Sequence, residues 1–453
     1  MYKRKLFNNL QTWKLKENRK PLILRGARQV GKTTLIKMFA SEFDFFIPLN
    51  LDLQNDAKLF DQTDDVSILL QLLYLRFGIA PSPKDKVLLF IDEIQSSEKA
   101  IRLLRYFYEL LPDIYVIAAG SLLESLLSNT ISFPVGRVEY MLLRPFSFEE
   151  YLWAKGNQAA INAYQSDQFP VYAHYTLSEL FSEYALIGGM PEIVNEYLKH
   201  GKLSTINSIY DSLIVTYSED VEKYANNERH VQIIRHIIGN AFVFAGERIT
   251  FEGFANSNYK SKDIGDCFRI LEKTFLISLI YPTTQISIPI IENTNKAPKL
   301  HVLDTGLINR FAGVQAELLA NQLSDAIYEG KIAEHITGQE LLTLHESVLY
   351  KNNFWVKEKK QSNAEIDYLL SFNGLLLPIE VKAGKTGRLR SLMEYMDLVK
   401  HEFAIRVYSG ELSIDKIQTL AGKQFYLLNL PFYLIGQIHN YAKLLVENQQ
   451  LSD

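Results

Sequence analysis

Short apolar runs alternate with segments of helical spacing through the first third of the chain. The apolar runs, each short enough for a buried strand, are residues 22–24, 45–51, 87–91 and 114–119. The segments with apolar side chains at helical intervals are residues 6–13, 35–43, 68–77 and 98–111. Strands that are buried on both faces and joined by helices form parallel sheets, so this part predicts an α/β fold with a parallel sheet.

The middle of the chain, about residues 176–322, is mainly helical in its pattern. Residues 230–242, 250–255 and 261–275 predict three helices, and a hairpin is expected within 276–303. That succession is typical of a winged helix. Asp263, Asp266 and Glu272 in the third helix argue against contact with DNA phosphates, so an interaction or coupling role is favoured at least equally.

The last part of the chain returns to mixed helices and strands. Its predicted elements are a helix over 332–344, strands over 348–350, 353–356, 365–370 and 375–381, a helix over 389–400 and a strand over 403–408. A chain of 453 residues with 47% apolar and 22% charged residues is globular and too long for one core. We therefore expect three domains, at 1–155, 156–325 and 326–453.

Residues 25–34 match the phosphate-binding pattern GxxxxGK[ST] between a predicted strand and a predicted helix. Gly26 and Gly31 allow the backbone to turn its amides inward toward a polyanion. Lys32 supplies charge for the β- and γ-phosphates, and the Thr33 hydroxyl suits a Mg²⁺ ion shared with them. The predicted nucleotide-binding residues are Gly26, Ala27, Arg28, Gln29, Val30, Gly31, Lys32, Thr33 and Thr34.

Two carboxylates end the apolar run 87–91, which predicts a second part of the same site. Acids at the carboxyl end of a parallel strand face the ligand crevice. Asp92 is expected to hold Mg²⁺ together with Thr33, and Glu93 to orient or deprotonate the water that attacks the γ-phosphate.

Two further residues complete the predicted ATPase site. Ser121 follows the strand run 114–119, where its hydroxyl either senses the γ-phosphate or caps the next helix. Arg137 is the arginine that we expect to neutralise charge on the transferred phosphate, from its own chain or on a neighbouring one.

The first third of the chain resembles the AAA+ group of P-loop ATPases, especially prokaryotic members. The resemblance rests on residues 25–34, 91–93, 119–121, 136–137 and 145–150. It implies ATP binding and hydrolysis. The chain departs from better-known AAA+ machines because no segment of the sequence matches their small helical lid.

A second set of charged residues lies in the last domain. Alternation along the strand 375–381 places Glu380 and Lys382 on one face, and Asp367 on the adjoining strand can join them. Such carboxylates can hold a divalent metal that activates water against a phosphodiester, with Glu334 contributing from the preceding helix. A salt-bridged hairpin without chemistry is the structural alternative.

This arrangement resembles the PD-(D/E)XK nuclease superfamily, in which Asp367, Glu380 and Lys382 match the acid, acid and lysine, and Glu334 the helix acid. Ile366 stands where that family often has proline. The resemblance implies a restriction-endonuclease-like fold, with a metal at Glu334, Asp367 and Glu380, in an active or inactive form.

Composition and charge limit the remaining possibilities. The net charge of −4 gives no overall case for nucleic acid, although residues 1–37 are basic except for Glu17, mostly as a solvated face. The lone Cys267 excludes an internal disulfide framework and a cysteine zinc site. We expect a cytoplasmic protein without a membrane segment.

The sequence therefore predicts an ATP- and Mg²⁺-dependent ATPase whose nucleotide state is coupled to a metal-dependent nuclease-like or DNA-binding domain. The alternative is an ATP-dependent switch for protein–protein interaction, signalling or self-association, with a catalytically inactive nuclease fold.

Overall fold

The chain divides into two compact units in a computed structural model. The structure describes residues 2–120, 134, 136–166, 169–222, 225, 227–313, 330–358, 364–384 and 387–450, with side chains up to Glu447. Unit 1 comprises residues 1–144, 273–275 and 346–349, and unit 2 comprises residues 145–272, 276–345 and 350–453. None of the helices in these ranges combines the length and apolar character that a membrane span needs.

Unit 1 alternates helices and strands, as its hydrophobic pattern predicts. Its helices are α1 (Leu6–Lys14), α2 (Lys32–Phe39), α3 (Gln54–Asp61), α4 (Val66–Phe77) and α5 (Glu98–Leu110). Its strands are β1 (Leu22–Arg25), β2 (Phe45–Asn50), β3 (Val87–Asp92), β4 (Tyr115–Ala119) and β5 (Glu139–Leu142). The prediction of a parallel-sheet α/β fold is confirmed, since all strand pairs in this sheet are parallel.

The sheet of unit 1 has the order β2-β3-β4-β1-β5. Strand β4 therefore lies between β1 and β3, which carry the two halves of the predicted nucleotide site. Residues 88–91 of β3 are buried, and Leu89 and Ile91 pack in one apolar core with α4 and α5. Burial on both faces explains why these strands read as continuous apolar runs rather than as alternating patterns.

Two differences from the prediction concern the helices of unit 1. Helix α2 begins at Lys32, within the phosphate loop, because Gly31 caps it with a left-handed backbone (φ 94°). Helix α3 was not predicted. Its first turn is polar, although Asp56 is buried there, and gives little periodic apolar signal; Leu59 and Phe60 are the buried apolar residues of the helix.

Unit 2 begins with a run of helices. They are α6 (Phe148–Lys155), α7 (Gln158–Tyr164), α8 (His174–Ile187), α9 (Pro191–His200), α10 (Asn207–Glu222), α11 (Glu228–Ala241), α12 (Ser261–Lys273) and α13 (Thr305–Phe311). Strands β6 (Ile277–Ile280) and β8 (Lys299–Val302) form an antiparallel pair, and β7 (Pro282–Thr283) lies between them in the chain. The expected hairpin is therefore present as β6 and β8.

The helix predicted over 250–255 is wrong. That segment contains only a short 3₁₀ turn, Phe254–Asn256. Gly253, Ala255 and Asn256 all have positive φ angles, between 51° and 66°, which a right-handed helix does not admit. The segment is thus a folded loop between α11 and α12.

The rest of unit 2 is built on a mixed sheet. The elements are α14 (Lys331–Leu342), β9 (Phe354–Val356), β10 (Glu365–Ile366), β11 (Tyr368–Phe372), β12 (Leu375–Val381), α15 (Arg390–Met396), β13 (Phe403–Tyr408), β14 (Ser413–Gln418), β15 (Gln424–Pro431) and α16 (Ile438–Gln450). The main sheet has the order β11-β12-β13-β15-β14, in which β12, β13 and β15 are parallel and the outer strands antiparallel. Strands β10, β9 and β7 form a second, small sheet.

The predicted elements of this region are largely confirmed. The expected strand over 348–350 is wrong, because those residues are exposed or half-buried and lie in a turn. Strands β14 and β15 and helix α16 were not predicted.

Candidate functional site

The phosphate loop of unit 1 links β1 to α2 through a strained backbone. Gly26 has φ 146°, and a Cβ atom at this position would collide with the carbonyl oxygen of Leu143. Gln29 also has a positive φ, of 61°, although it is not glycine. Only glycine fits position 26, and the loop is held in a conformation that few sequences adopt.

The Lys32 side chain lies inside this loop. Its Nζ donates hydrogen bonds to the carbonyl oxygens of Gly26 and Ala27, at 2.9 Å each, and the residue is only 7% exposed. Val30 is fully buried beside it, whereas Thr34 is exposed on α2. The loop therefore places a buried ammonium group among backbone amides at a helix N-terminus, an arrangement suited to a polyphosphate.

The second half of the site meets the loop at the end of β3. The Thr33 hydroxyl donates to Asp92 Oδ2 at 2.6 Å, so the two predicted Mg²⁺ ligands are adjacent. Both present hard oxygen atoms, which fit Mg²⁺. Glu93 follows in a left-handed backbone conformation (φ 50°), which ends the extended strand.

Gln95 is a residue of this site that the sequence analysis missed. Its Nε2 donates to Glu93 Oε2 at 2.5 Å, and its Oε1 lies so close to Gly120 that a Cβ atom there would collide with it. Gly120 directly follows β4, the strand between the two halves of the site. The amide thus holds the Glu93 carboxylate beside the carboxyl edge of the sheet.

Arg4 is a second residue that was missed. Its guanidinium donates to the Val30 carbonyl at 2.9 Å and to the Arg144 carbonyl at 2.6 Å, and the residue is 5% exposed. The basic N-terminal segment is therefore not entirely a solvated face, because Arg4 anchors the phosphate loop. A segment rich in lysine and arginine does not show in its sequence which of these side chains is buried in the fold.

Of the two remaining predicted ATPase residues, Arg137 lies within the described part of the chain, and its described contacts do not bring it to the site. Arg137 donates to Glu109 Oε1 at 2.9 Å near the end of α5, with its side chain 42% exposed. Ser121 lies outside the described residues. Arg28 is half-buried in the phosphate loop.

The acids predicted in unit 2 meet near the ends of β11 and β12. Tyr368 pairs with Ile379 across these strands, so Asp367 and Glu380 come next to each other, and Asp367 Oδ2 accepts the Val381 N–H at 2.8 Å. Lys382 Nζ lies 2.6 Å from Glu380 Oε1.

Burial changes the protonation of these acids. Burial, and then the neighbouring charge of Asp367, raises the pKa of Glu380 to about 8 and that of Glu334 to about 7. Burial also raises the pKa of Asp367. These are the directions expected for carboxylates that share a poorly solvated space.

A lysine from another strand lies among these acids. Lys299, at the start of β8, is 4% exposed, and its Nζ lies 2.5 Å from Glu334 Oε1, 2.6 Å from Glu365 Oε1 and 3.8 Å from Asp367 Oδ1. Burial alone would lower the pKa of Lys299, but the three carboxylates outweigh it and keep the pKa above its ordinary value. No sequence motif marks Lys299 for this position.

The predicted metal at Glu334, Asp367 and Glu380 does not fit this arrangement. Within the described ranges, no group of three or more His, Cys, Asp or Glu side chains is placed to hold a metal ion. Each predicted ligand is engaged instead by a lysine, Lys299 or Lys382.

Fold and site together define unit 1 as a P-loop nucleotide-binding domain. Comparison with protein families agrees, since residues 18–152 match the model of an AAA domain. The chain thus carries an ATPase domain of the AAA+ type. Residues 178–318 and 329–433 match two domains of unknown function, DUF8612 and DUF4143, which assign no activity.

Several solved structures show a limited similarity to this chain. The Walker-type ATPase Paby2304 of Pyrococcus abyssi is 17% identical, with 69% of this chain and 96% of that chain covered and a TM-score of 0.43. The Orc1 protein of Aeropyrum pernix, solved in complex with DNA, is 11% identical over 70% and 92% of the two chains, with a TM-score of 0.29. The Thermotoga maritima RuvB branch migration motor is 14% identical over 65% and 93%, with a TM-score of 0.28. No curated protein matched the chain.

Proposed function

We propose that the protein binds ATP with Mg²⁺ in unit 1 and hydrolyses it. The observation that carries this proposal is the 2.6 Å hydrogen bond from the Thr33 hydroxyl to Asp92, at the mouth of the phosphate loop. These oxygens would hold Mg²⁺, which would neutralise charge on the β- and γ-phosphates.

Different side chains of the site would serve ATP binding and ATP hydrolysis. Lys32 would exchange its bonds to Gly26 and Ala27 for the phosphate oxygens, while the loop amides hold the remaining charge. Glu93 would accept the proton of the attacking water, and Gln95 would hold the Glu93 carboxylate in position. Ser121 and Arg137 stay candidates for sensing and for charge neutralisation.

Two substitutions test the proposed ATPase. Lys32→Ala should weaken ATP binding by roughly tenfold or more, since it removes a charge-assisted contact. Glu93→Gln should keep ATP binding but lower turnover by roughly a hundredfold. Lys37→Ala, an exposed lysine of the same helix, is the matched control and should behave as wild type.

ATP binding is measured by calorimetry and phosphate release by a coupled assay. Undiminished hydrolysis in the Glu93→Gln protein would remove Glu93 from its assigned role. Wild-type binding by Lys32→Ala would refute the phosphate site itself.

We further propose that nucleotide state controls the C-terminal part of unit 2 through the helices of its middle region. Two acids of α12 are already paired, Asp263 with Arg229 at 2.9 Å and Asp266 with Arg269 at 2.5 Å. A helix whose acids are ion-paired in this way, and which carries no excess positive charge, supports a coupling or protein-contact role over a winged helix that contacts DNA phosphates.

For the C-terminal part itself, two functions have support. The juxtaposition of Asp367, Glu380 and Lys382 supports a nuclease-like or DNA-binding domain. The position of Lys299 among the acids supports the alternative, an ATP-dependent switch for a protein partner or self-association with an inactive nuclease fold.

A cleavage assay separates the two. Wild type, Asp367→Ala and the control Asp397→Ala, an exposed acid of unit 2, are incubated with plasmid and single-stranded DNA in Mg²⁺ and in Mn²⁺, with and without ATP. Cleavage by wild type and control but not by Asp367→Ala would establish the nuclease. Inertness of all three, with ATP turnover retained, would favour the switch.

A further inference from the structure

We propose that Lys299 is a built-in cation that takes the place of a divalent metal in unit 2. It fills the acidic cluster, defined here as Glu334, Glu365 and Asp367, so that this cluster does not accept Mg²⁺ or Mn²⁺. The proposal deepens the second function above, because it concerns what occupies the nuclease-like site.

The cluster is assembled around Lys299 from separate elements. Glu334 comes from α14, Glu365 from β10, and Asp367 from the link between β10 and β11. Two of the three carboxylates lie at ion-pair distance from Lys299 Nζ, at 2.5 and 2.6 Å, and the third lies at 3.8 Å. With Lys299 present, the acids therefore surround its ammonium group and are not spaced to hold a metal ion among themselves.

The surroundings hold that ammonium in place. Lys299 is 4% exposed, its Nζ lies 4.6 Å from the centre of the Phe354 ring, and Arg248 adds a contact of 3.5 Å to Glu365. A buried lysine with several partners in a fixed strand has little freedom to swing out to solvent. Its charge is therefore a fixed part of the site.

A metal ion and this ammonium group cannot share the cluster. Mg²⁺ binds carboxylate oxygens at about 2.1 Å, so it would need the same oxygen atoms that Lys299 contacts. Two cations at that separation repel each other strongly where water is scarce. Glu380, the remaining predicted ligand, is outside this cluster: its Oε1 pairs with Lys382, and its buried Oε2 has no hydrogen-bond partner among the described residues.

Removal of the lysine should therefore create a metal site. In Lys299→Ala, three carboxylates would face each other without a cation, and binding of a divalent ion would relieve their repulsion. Lys331→Ala is the matched control, because Lys331 is a lysine at the start of α14 with a 59% exposed side chain paired to Glu247 outside the cluster.

The test counts bound Mn²⁺ by electron paramagnetic resonance on the full chain without nucleotide. Wild type, Lys299→Ala, Asp367→Asn, Lys331→Ala and the double variant Lys299→Ala/Asp367→Asn are compared, with folding checked by circular dichroism. We expect Lys299→Ala to bind one Mn²⁺ ion more than wild type, and the double variant and Lys331→Ala to bind no more than wild type.

Wild type and Asp367→Asn should bind equal numbers of Mn²⁺ ions. One more ion on wild type than on Asp367→Asn would overturn the proposal, as would a folded Lys299→Ala protein that gains none. If Lys299→Ala does not fold, Lys299→Gln carries the same expectation, and the comparison of wild type with Asp367→Asn decides without either. Because neither ATP nor DNA is present, the result is independent of the ATPase and cleavage assays.

Discussion

Asp304 offers a sharp test of how unit 2 is held together, because it is a fully buried carboxylate that joins two chain segments. Its Oδ2 accepts the Gly189 N–H at 2.6 Å, and its Oδ1 accepts the Gly306 N–H at 3.0 Å, which caps α13. Gly188 has φ 69° and packs so tightly on Asp304 that a Cβ atom there would collide with the carboxylate. The buried Asp304 carboxyl group thus accepts backbone N–H groups from two separate segments of unit 2.

The cost of that burial depends on pH. Burial raises the pKa of Asp304 to about 6 from its ordinary 3.8, although three backbone N–H groups act in the opposite direction. That difference corresponds to about 3 kcal/mol. Because the folded pKa exceeds the unfolded one, the folded state binds the proton more tightly, so stability from this group is fully present below about pH 4 and is lost as pH rises through about 6.

The perturbation is Asp304→Asn, which removes the titration and keeps one oxygen acceptor. Between pH 7 and pH 5, protonation of Asp304 should stabilise wild-type unit 2 by about 1.4 kcal/mol, and the variant should lack this gain. The variant also loses an acceptor for one backbone N–H, which costs about 1–3 kcal/mol at both pH values and so does not affect the comparison.

Cys267 provides the assay, since it is the single cysteine of the chain and is buried in α12 of unit 2. Burial raises the pKa of its thiol to about 12, so the folded unit should resist labelling. Samples equilibrated in urea at pH 7 or pH 5 receive a brief thiol-reagent pulse at one common pH, and mass spectrometry counts the labelled fraction. This yields the free energy of unfolding of unit 2 alone.

Asp397→Asn, an exposed acid of the same unit, serves as the control and should follow wild type. If Asp304→Asn gains as much stability as wild type between pH 7 and pH 5, Asp304 is not the group that titrates. The assignment of its raised pKa to burial would then be refuted.

Two further predictions concern single contacts. Gly26→Ala should lower ATP affinity by roughly tenfold or more in calorimetry, because its Cβ would collide with the Leu143 carbonyl oxygen in a backbone at φ 146°; wild-type affinity would show that the loop adapts. Ser147→Ala should lower the free energy of unfolding by about 1 kcal/mol in urea, because the buried Ser147 hydroxyl accepts the Glu150 N–H in a capping box that starts α6. An unchanged urea midpoint would contradict the capping prediction, and Ser147→Thr should retain most of the stability.

The fold of unit 1 and its phosphate loop could be predicted because their signals are local. A glycine-rich loop between an apolar strand and an amphipathic helix has a conformation that its own sequence predicts. The acids that follow residues 87–91 could be placed because they lie at the carboxyl end of a predicted parallel strand. Gln95 and Arg4 could not be found this way. Their roles arise from contacts to Glu93 and Val30 that only the folded chain creates.

The strands missed in unit 2 differ in what the sequence offered. Strand β15 has a nearly continuous apolar run over residues 425–430 and lies between β13 and β14, so its signal was present in the pattern. Strand β14 is exposed at almost every position and lies at the sheet edge. An edge strand of this kind is specified by pairing with its neighbour, and its own residues carry no apolar pattern that predicts a strand.

For the acidic cluster, a sequence motif could predict which acids come together but not which cation they bind. Spacing along two neighbouring strands predicted that Asp367 and Glu380 would meet, and the alternation that places Lys382 beside Glu380 is equally local. The ion that the acids hold is a tertiary property, because Lys299 enters from a strand far earlier in the chain. Carboxylates that lie close together are stabilised by a cation, but their positions in the sequence do not show which cation it is. A buried lysine can supply the positive charge without a metal. The identity of the cation at this one point therefore decides which of the two proposed functions of unit 2 is open to this chain.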